Sequence, residues 1–341
     1  MSSSTTPQTT ARPRTLLIIG GAEDKIGRSV VLKRFVRLAG GRQSRIVLVP
    51  TASSFVDEVV EAYTSVFTRL RAGSDLEVVH AASRAAAHDP QLVERLDHAT
   101  GVFITGGSQL KLSQYLVGTP VGDAIHTAYQ RGAVIAGTSA GASVMSRFMI
   151  SLGEEGLTPR QRSSQLTAGL GLLENVIVDQ HFDQRGRYGR LLSLVANSPN
   201  LLGMGIDENT ATEIRDEHVL TIIGAGSVFI LDARSAVTDA PDARRGAPLL
   251  VSGAVVHSLP TGATFDLREV RLTGFVERHP DLEVAVGSGR DRGPDGPTPN
   301  PSAPDPSLSD RPPPASPTAA RPTEPVPAPP TQFAPGGPRG R

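Results

Sequence analysis

The chain has 341 residues, a length for one large domain or two small ones. Its 34 basic and 34 acidic residues cancel, so no global charge argues for nucleic acid or an anionic membrane surface. It has no cysteine, which excludes disulfides, thiolate metal ligands and cysteine nucleophiles together; with aromatics at 4% and no tryptophan, the core must rest on Val, Ile, Leu and Ala.

The opening "MSSSTTPQTTARPR" is polar and carries no apolar core of signal-peptide length, so residues 1–13 are expected to be a disordered N-terminus. The first apolar run, "TLLIIGG" at 15–21, reads as a strand. "RIVLVPTAS", "LEVVHAA", "GVFITGG", "AVIAGTS" and "NVIVDQH" follow in the same style, each a short apolar run that gives way to Gly, Ser, Thr, His or Asp. Between the early runs lie helical periods, "VVLKRFVRLAG" and "VDEVVEAYTSVFTRLRAG", both stopped by glycine. Aliphatic strands joined by crossover helices predict an α/β fold of three layers, α/β/α, around a mostly parallel central sheet. From about residue 210 the pattern turns to hairpin-like or edge strands with little helix between them. No run approaches the roughly 18 consecutive apolar residues of a membrane-spanning helix, so no membrane association and a cytoplasmic location are expected.

Near residue 288 the composition breaks. Residues 291–341 hold 17 of the 28 prolines, and a stretch so poor in apolar surface cannot offset its ordering entropy. Residues 289–341 are therefore expected to be a disordered Pro-rich tail, either inert or a spacer or partner-binding segment. The globular domain is then 14–288.

In open α/β sheets ligands bind beyond the carboxyl ends of the strands, so the polar punctuation after each run is where chemistry is sought. "AGTSAGAS" at 136–143 places Ser139 among small residues where a strand hands over to a helix. Either Ser139 caps a tight turn, or it is the nucleophile of a strained elbow with backbone N–H groups beside it. His181 in "VDQHF" follows a strand run and is the best-placed base of the eight histidines, or else a hydrogen-bonded structural residue. "GMGIDENTATEI" offers Asp207 and Glu208 as the acid that would orient the imidazole, or as two solvated turn carboxylates. The N–H of Ala140, just after the serine, and one from the Gly106-Gly107 pair could form an oxyanion hole. Arg185, Arg187 and Arg190 follow His181, and the last two share a face if "GRYGRLLSLVA" is helical. They are a solvated charge run or a clamp for an anionic substrate. No phosphate-binding glycine fingerprint is present.

Taken together, "LLIIGGAEDK", "VPTASS", "TGGSQLKL", "GTSAGASVMS", "LGLLENVIVDQHFDQRGRYGRLL" and "GMGIDENTA" resemble the cyanophycinases, serine exopeptidases of the peptidase E-like family with a class I glutamine amidotransferase-like fold. The resemblance runs from about 15 to 275, with the motifs in the family's order. Cyanophycin is a polyaspartate whose every side-chain carboxyl carries an arginine through its α-amino group. Cyanophycinases cut the backbone and release β-Asp-Arg dipeptides.

The resemblance implies Ser139 as nucleophile, His181 as base and Glu208 as triad acid, with Gly107 and Ala140 donating to the oxyanion. It implies Gln109, Asp179, Gln180, Arg185, Arg187 and Arg190 as pocket residues. It implies no metal and no cofactor, cyanophycin or a β-aspartyl-arginine peptide as substrate, and a homodimer, for which the β-rich segment after 210 offers a surface. Ser108 stands where related sequences often carry Asn or Asp, which predicts a local change at the pocket rim. The competing readings are a peptidase E-type α-aspartyl dipeptidase, which would need the elbow but not the three arginines, and a non-catalytic binder of anionic peptides.

Overall fold

The computed structural model describes residues 13–276. The expected boundary near 288 and the Pro-rich tail lie outside the described residues, as does nearly all of the expected N-terminal segment. In chain order the first half is β1 (Thr15–Ile19), α1 (Val30–Ala39), β2 (Ile46–Val49), α2 (Val56–Arg69), β3 (Leu76–Val78), α3 (Pro90–Glu94), β4 (Gly101–Ile104), α4 (Gln109–Leu116), α5 (Pro120–Gln130), β5 (Val134–Thr138) and the single turn α6 (Ala140–Ser143). Then come β6 (Phe148–Gly153), β7 (Ser164–Ala168), β8 (Val176–Gln180), α7 (Tyr188–Asn197), β9 (Leu202–Ile206), β10 (Thr210–Arg215), β11 (Val219–Gly224) and β12 (Ser227–Asp232). The described residues close with β13 (Val237–Thr238), β14 (Val251–Ser252), β15 (Val255–Pro260), β16 (Ala263–Asp266) and β17 (Arg271–Phe275).

Strands β1, β2, β4 and β5 are buried along their whole length, as their unbroken aliphatic runs require. Their side chains alternate between two cores. Leu16, Ile18, Val47, Val102, Ile104 and Ile135 meet Leu112, Leu116, Val121 and Ile125 of α4 and α5. Leu17, Ile19, Ile46, Leu48 and Ala136 meet Leu32, Phe35, Tyr63 and Phe67 of α1 and α2. Four of the scarce aromatics lie on this second face, where Phe35, Tyr63, Phe67 and Phe103 stack at centroid separations from 4.8 to 5.9 Å.

The central sheet runs β17-β16-β11-β10-β1-β5-β4-β2-β3. Its five strands β1 to β5 pair in parallel, and β10, β11, β16 and β17 extend it antiparallel from β1. The sheet is thus mixed, with the hairpin-like sequence after 210 supplying its antiparallel wing. Strand β8 does not join it. That strand forms a second sheet of order β15-β12-β9-β8, parallel to β9 through the crossover helix α7. An aliphatic run fixes burial but not the identity of its partner, so "NVIVDQH" reads like the other runs in sequence and pairs elsewhere in space.

Candidate active site

Ser139 lies between the end of β5 and α6 with φ 53° and ψ −114°, outside the ordinary regions for a residue with a Cβ. Small neighbours permit this bend. A Cβ on Gly137 would lie 2.1 Å from the carbonyl oxygen of Gly141, and one on Gly141 would lie 2.2 Å from that of Ile104. The Ser139 N–H donates to the Ile19 carbonyl at 3.0 Å, tying the elbow to β1.

His181 comes from the other sheet. It follows β8 at φ 47°, and its N–H donates to the Gly20 carbonyl at 2.9 Å. Its ring packs where a side chain on Gly21 would be, since a Cβ there would fall 2.4 Å from Cε1. Ser139 Oγ lies 3.0 Å from His181 Nε2, and Nδ1 lies 2.5 Å from Glu208 Oε1. The nitrogen that faces the carboxylate carries the proton in the neutral ring, which leaves Nε2 free to accept from the serine. Burial pushes the His181 pKa below its ordinary value, the Glu208 hydrogen bond opposes this, and the Arg185 charge adds to the lowering.

The adjacent carboxylates Asp207 and Glu208 have separate surroundings. Asp207 is buried and accepts from the N–H groups of Asp183 at 3.2 Å and Ser227 at 3.0 Å; burial nonetheless pushes its pKa up. It holds loop backbone, while Glu208 is half-exposed and faces the imidazole. Asn209, at φ 50°, donates its N–H to the Gly21 carbonyl at 2.8 Å, so the turn bearing Glu208 and the loop under His181 are joined.

Gly107 adopts φ 139°, and among the described residues neither its N–H nor that of Ala140 donates to a protein acceptor. Ser108 caps α4, accepting from Lys111 N at 3.4 Å. Gln109 donates to the Ile150 carbonyl at 2.5 Å and accepts from Gln180 Nε2 at 3.5 Å; the Gln180 Oε1 in turn lies 3.4 Å from Ser139 Oγ.

Three of the expected pocket residues are held inward. Asp179 is 0% exposed, and Arg190 grips it bidentately, with Nε 2.6 Å from Oδ2 and Nη2 on Oδ1. Arg187 is also buried. It donates to the Gln180 carbonyl and lies 3.5 Å from both Asp179 and Glu155. As expected from the sequence spacing, Arg187 and Arg190 reach the same place from the start of α7, but the carboxylate they meet is this chain's own. Asp179, Arg187 and Arg190 therefore brace Gln180 from behind instead of presenting to solvent. Arg185 alone of the three is exposed, and no carboxylate pairs with it among the described residues.

Glu23 escaped the sequence reading. It is 3% exposed and accepts from Thr138 Oγ1 at 2.5 Å, Lys25 Nζ at 2.8 Å and the Tyr63 hydroxyl. Thr138 precedes Ser139, so this carboxylate pins the elbow from below. Burial, then the Glu23 charge, holds the Tyr63 pKa well above the ordinary phenol value, keeping it a donor. The available signal was the position of "GGAED" at the carboxyl end of β1, the same edge as the other motifs.

A Ser–His–carboxylate line at the strand ends of a three-layer α/β/α fold defines a class of peptidase-like hydrolases. The sequence profile of peptidase family S51 matches residues 16–222, and the chain belongs to that family, as a serine-type peptidase. A cyanophycinase from Geminocystis herdmanii is 36% identical over 265 residues, covering 77% of this chain and 97% of the relative. One from Nostoc sp. is 38% identical over 275 residues, covering 80% and 91%. The crystal structure of a peptidase from an acI-B1 Actinobacterium shares the fold, with a TM-score of 0.53 at 22% identity over 75% of this chain and 98% of that one.

Proposed function

We propose that this chain is a serine exopeptidase that hydrolyses the polyaspartate backbone of cyanophycin and releases β-Asp-Arg dipeptides. The observation that carries the reading is the contact line from Ser139 Oγ through both ring nitrogens of His181 to Glu208, at 3.0 and 2.5 Å. The cyanophycinases at 36% and 38% identity support the choice of substrate.

Ser139 Oγ attacks the backbone carbonyl carbon while His181 Nε2 takes the hydroxyl proton, and Glu208 holds the resulting imidazolium. The carbonyl electron pair moves to oxygen, where the N–H groups of Gly107 and Ala140 meet it. Collapse restores the carbonyl and breaks the C–N bond, and His181 returns its proton to the leaving amine. Water, deprotonated by His181, then attacks the ester; the carboxyl product leaves and Ser139 regains its proton. Gln109, Gln180 and Arg185 contact the substrate, the arginine through a carboxylate, while Asp179, Arg187 and Arg190 keep Gln180 in place.

Incubating the purified chain with insoluble cyanophycin and, separately, with Asp-Leu tests the reading. β-Asp-Arg identified by mass, and absent with Ser139→Ala, is the expected result; hydrolysis of Asp-Leu alone would move the protein to the α-aspartyl dipeptidases. The reading also takes the enzyme to be a cytoplasmic homodimer, which light scattering and cell fractionation check.

A further inference from the structure

The cations at the catalytic edge differ in what they meet. Arg187 and Arg190 meet Asp179, and Lys25 meets Glu23. Lys111 does not follow this pattern. It is the third residue of α4 and is half-buried, and its Nζ lies 3.5 Å from the Ser53 carbonyl and 3.5 Å from Ser54 Oγ. These contacts are at the long limit for N–H···O bonds. No carboxylate pairs with it among the described residues. The Lys111 ammonium thus has donor capacity that these long contacts do not use fully, and an anion at this position would take it up.

The position is adjacent to the reacting centre. Ser53 and Ser54 follow β2, and the turn carrying them packs against the loop after β4: the Ser108 N–H donates to the Ala52 carbonyl at 2.9 Å, and a Cβ on Gly107 would lie 2.2 Å from that oxygen. Along the sheet β2 and β4 lie on one side of β5, while β1, whose following Gly21 supports the His181 ring, lies on the other. Lys111 therefore lies on the β4 and β2 side of β5, whereas the backbone of Arg185 follows His181, whose N–H is tied to Gly20 after β1. Gln109 and Lys111, two apart on α4, divide between them: the first reaches Gln180, the second the Ser53–Ser54 turn. Around Lys111, burial and then the lysine's own charge push the His80 pKa down, and the Asp57 charge opposes this.

We propose that Lys111, with the Ser54 hydroxyl, is a second carboxylate-binding subsite that holds the substrate unit on the side of the scissile bond away from Arg185. The inference rests on the cyanophycin reading, in which the unit on each side of the cut bond carries an arginine α-carboxylate. The two cations would then read two successive units, and a substrate with a carboxylate on one side only would lose one anchor.

The test uses the full chain as wild type, Lys111→Met and Lys111→Arg, with steady-state hydrolysis of soluble oligomers of β-Asp-Arg units. In a Ser139→Ala background, calorimetry measures the binding of the two-unit oligomer with and without Lys111→Met. Losing one charge-assisted contact should raise KM and Kd by roughly ten-fold or more, with a smaller effect on kcat and substantial recovery in Lys111→Arg. Added salt should weaken wild-type binding more than that of Lys111→Met. If the wild type hydrolyses the oligomers and Lys111→Met leaves KM and Kd within two-fold, the subsite is overturned and the enzymatic reading stands. If no hydrolysis occurs at all, that reading falls, and the calorimetric pair still decides the subsite: a ten-fold Lys111-dependent loss supports it, equal affinities overturn it.

Discussion

Strand β5 leads into Ser139 within a sheet whose neighbouring strands are buried on both faces, whereas β8 ends in Gln180, with His181 next, beside a buried Asp179–Arg190 pair. On the first side the geometry is set by backbone: a positive φ, a Gly137–Gly141 approach too close for any Cβ, and Ser139 N–H on Ile19. On the second it is set by side-chain charge, with Arg190 and Arg187 converging on Asp179 and on the carbonyl of Gln180. Ser139 is thus held mainly by exclusion of volume, above the Glu23–Thr138 hydrogen bond, and the strand leading to His181 mainly by pairing of charge. Substitutions on the two sides should fail in different ways.

The largest effect is expected at the groups proposed to react. Ser139→Ala and His181→Ala should each lower kcat by about three to six orders of magnitude, and the double variant should lose little beyond the worse single one, because the two act as a unit. Circular dichroism should show both folded. Comparable losses that simply add would mean that the 3.0 Å contact between them is not the catalytic one.

Next in size is the charge-held side. Arg190→Met leaves Asp179 buried without its bidentate partner, a situation that costs about 3–5 kcal/mol. A large drop in the urea midpoint is expected, with activity following stability. The double variant Asp179→Leu/Arg190→Met removes both charges and should recover much of the midpoint. If Arg190→Met is as stable as wild type, the buried pair does not hold β8, and the contrast between the two sides collapses.

These differences bear on what the sequence could and could not disclose. Burial was legible in the unbroken aliphatic runs, and Ser139 and His181 could be singled out as candidates because small residues and strand ends are local features. The separate sheet of β8 was not, since Val176, Ile177 and Val178 would satisfy either sheet. The choice of Glu208 over Asp207 turns on Asn209 at φ 50° and on the N–H groups of Asp183 and Ser227, which come from distant turns. The spacing of Arg187 and Arg190 puts them on one face, but only the crossover of α7 sets that face against Asp179. Glu23 was hidden for the same reason, as its partners Tyr63 and Thr138 lie 40 and 115 residues away.

A smaller effect probes the volume-held side. Gly141→Ala should cost about 1–3 kcal/mol through overpacking, because the new methyl would sit 2.2 Å from the Ile104 carbonyl oxygen. The backbone must move to relieve it, and the elbow moves with it. Activity should therefore fall further than stability predicts, which distinguishes this variant from Arg190→Met. Thermal melts paired with kcat/KM at a temperature where both variants are fully folded make the comparison.

The smallest expected effect joins the two sides through charge. Burial holds the His181 pKa below its ordinary value of about 6.5, and the exposed Arg185 guanidinium adds to the lowering. The ring must be neutral to accept the serine proton, so the acid limb of kcat/KM is expected below that value. Removing a neighbouring cation makes imidazolium easier to form, so Arg185→Gln should raise the pKa and move the limb to higher pH. Glu208→Gln removes the opposing influence and should move it to lower pH, at a much larger loss of rate. Linkage fixes the companion sign for stability. The unfolded ring binds its proton more readily than the folded one. Its contribution is therefore fully present above the unfolded value and is lost as pH falls through the folded pKa, over a window that Arg185→Gln narrows. Limbs that coincide in wild type and Arg185→Gln would show that the arginine does not act on the imidazole, leaving only the proposed contact with substrate.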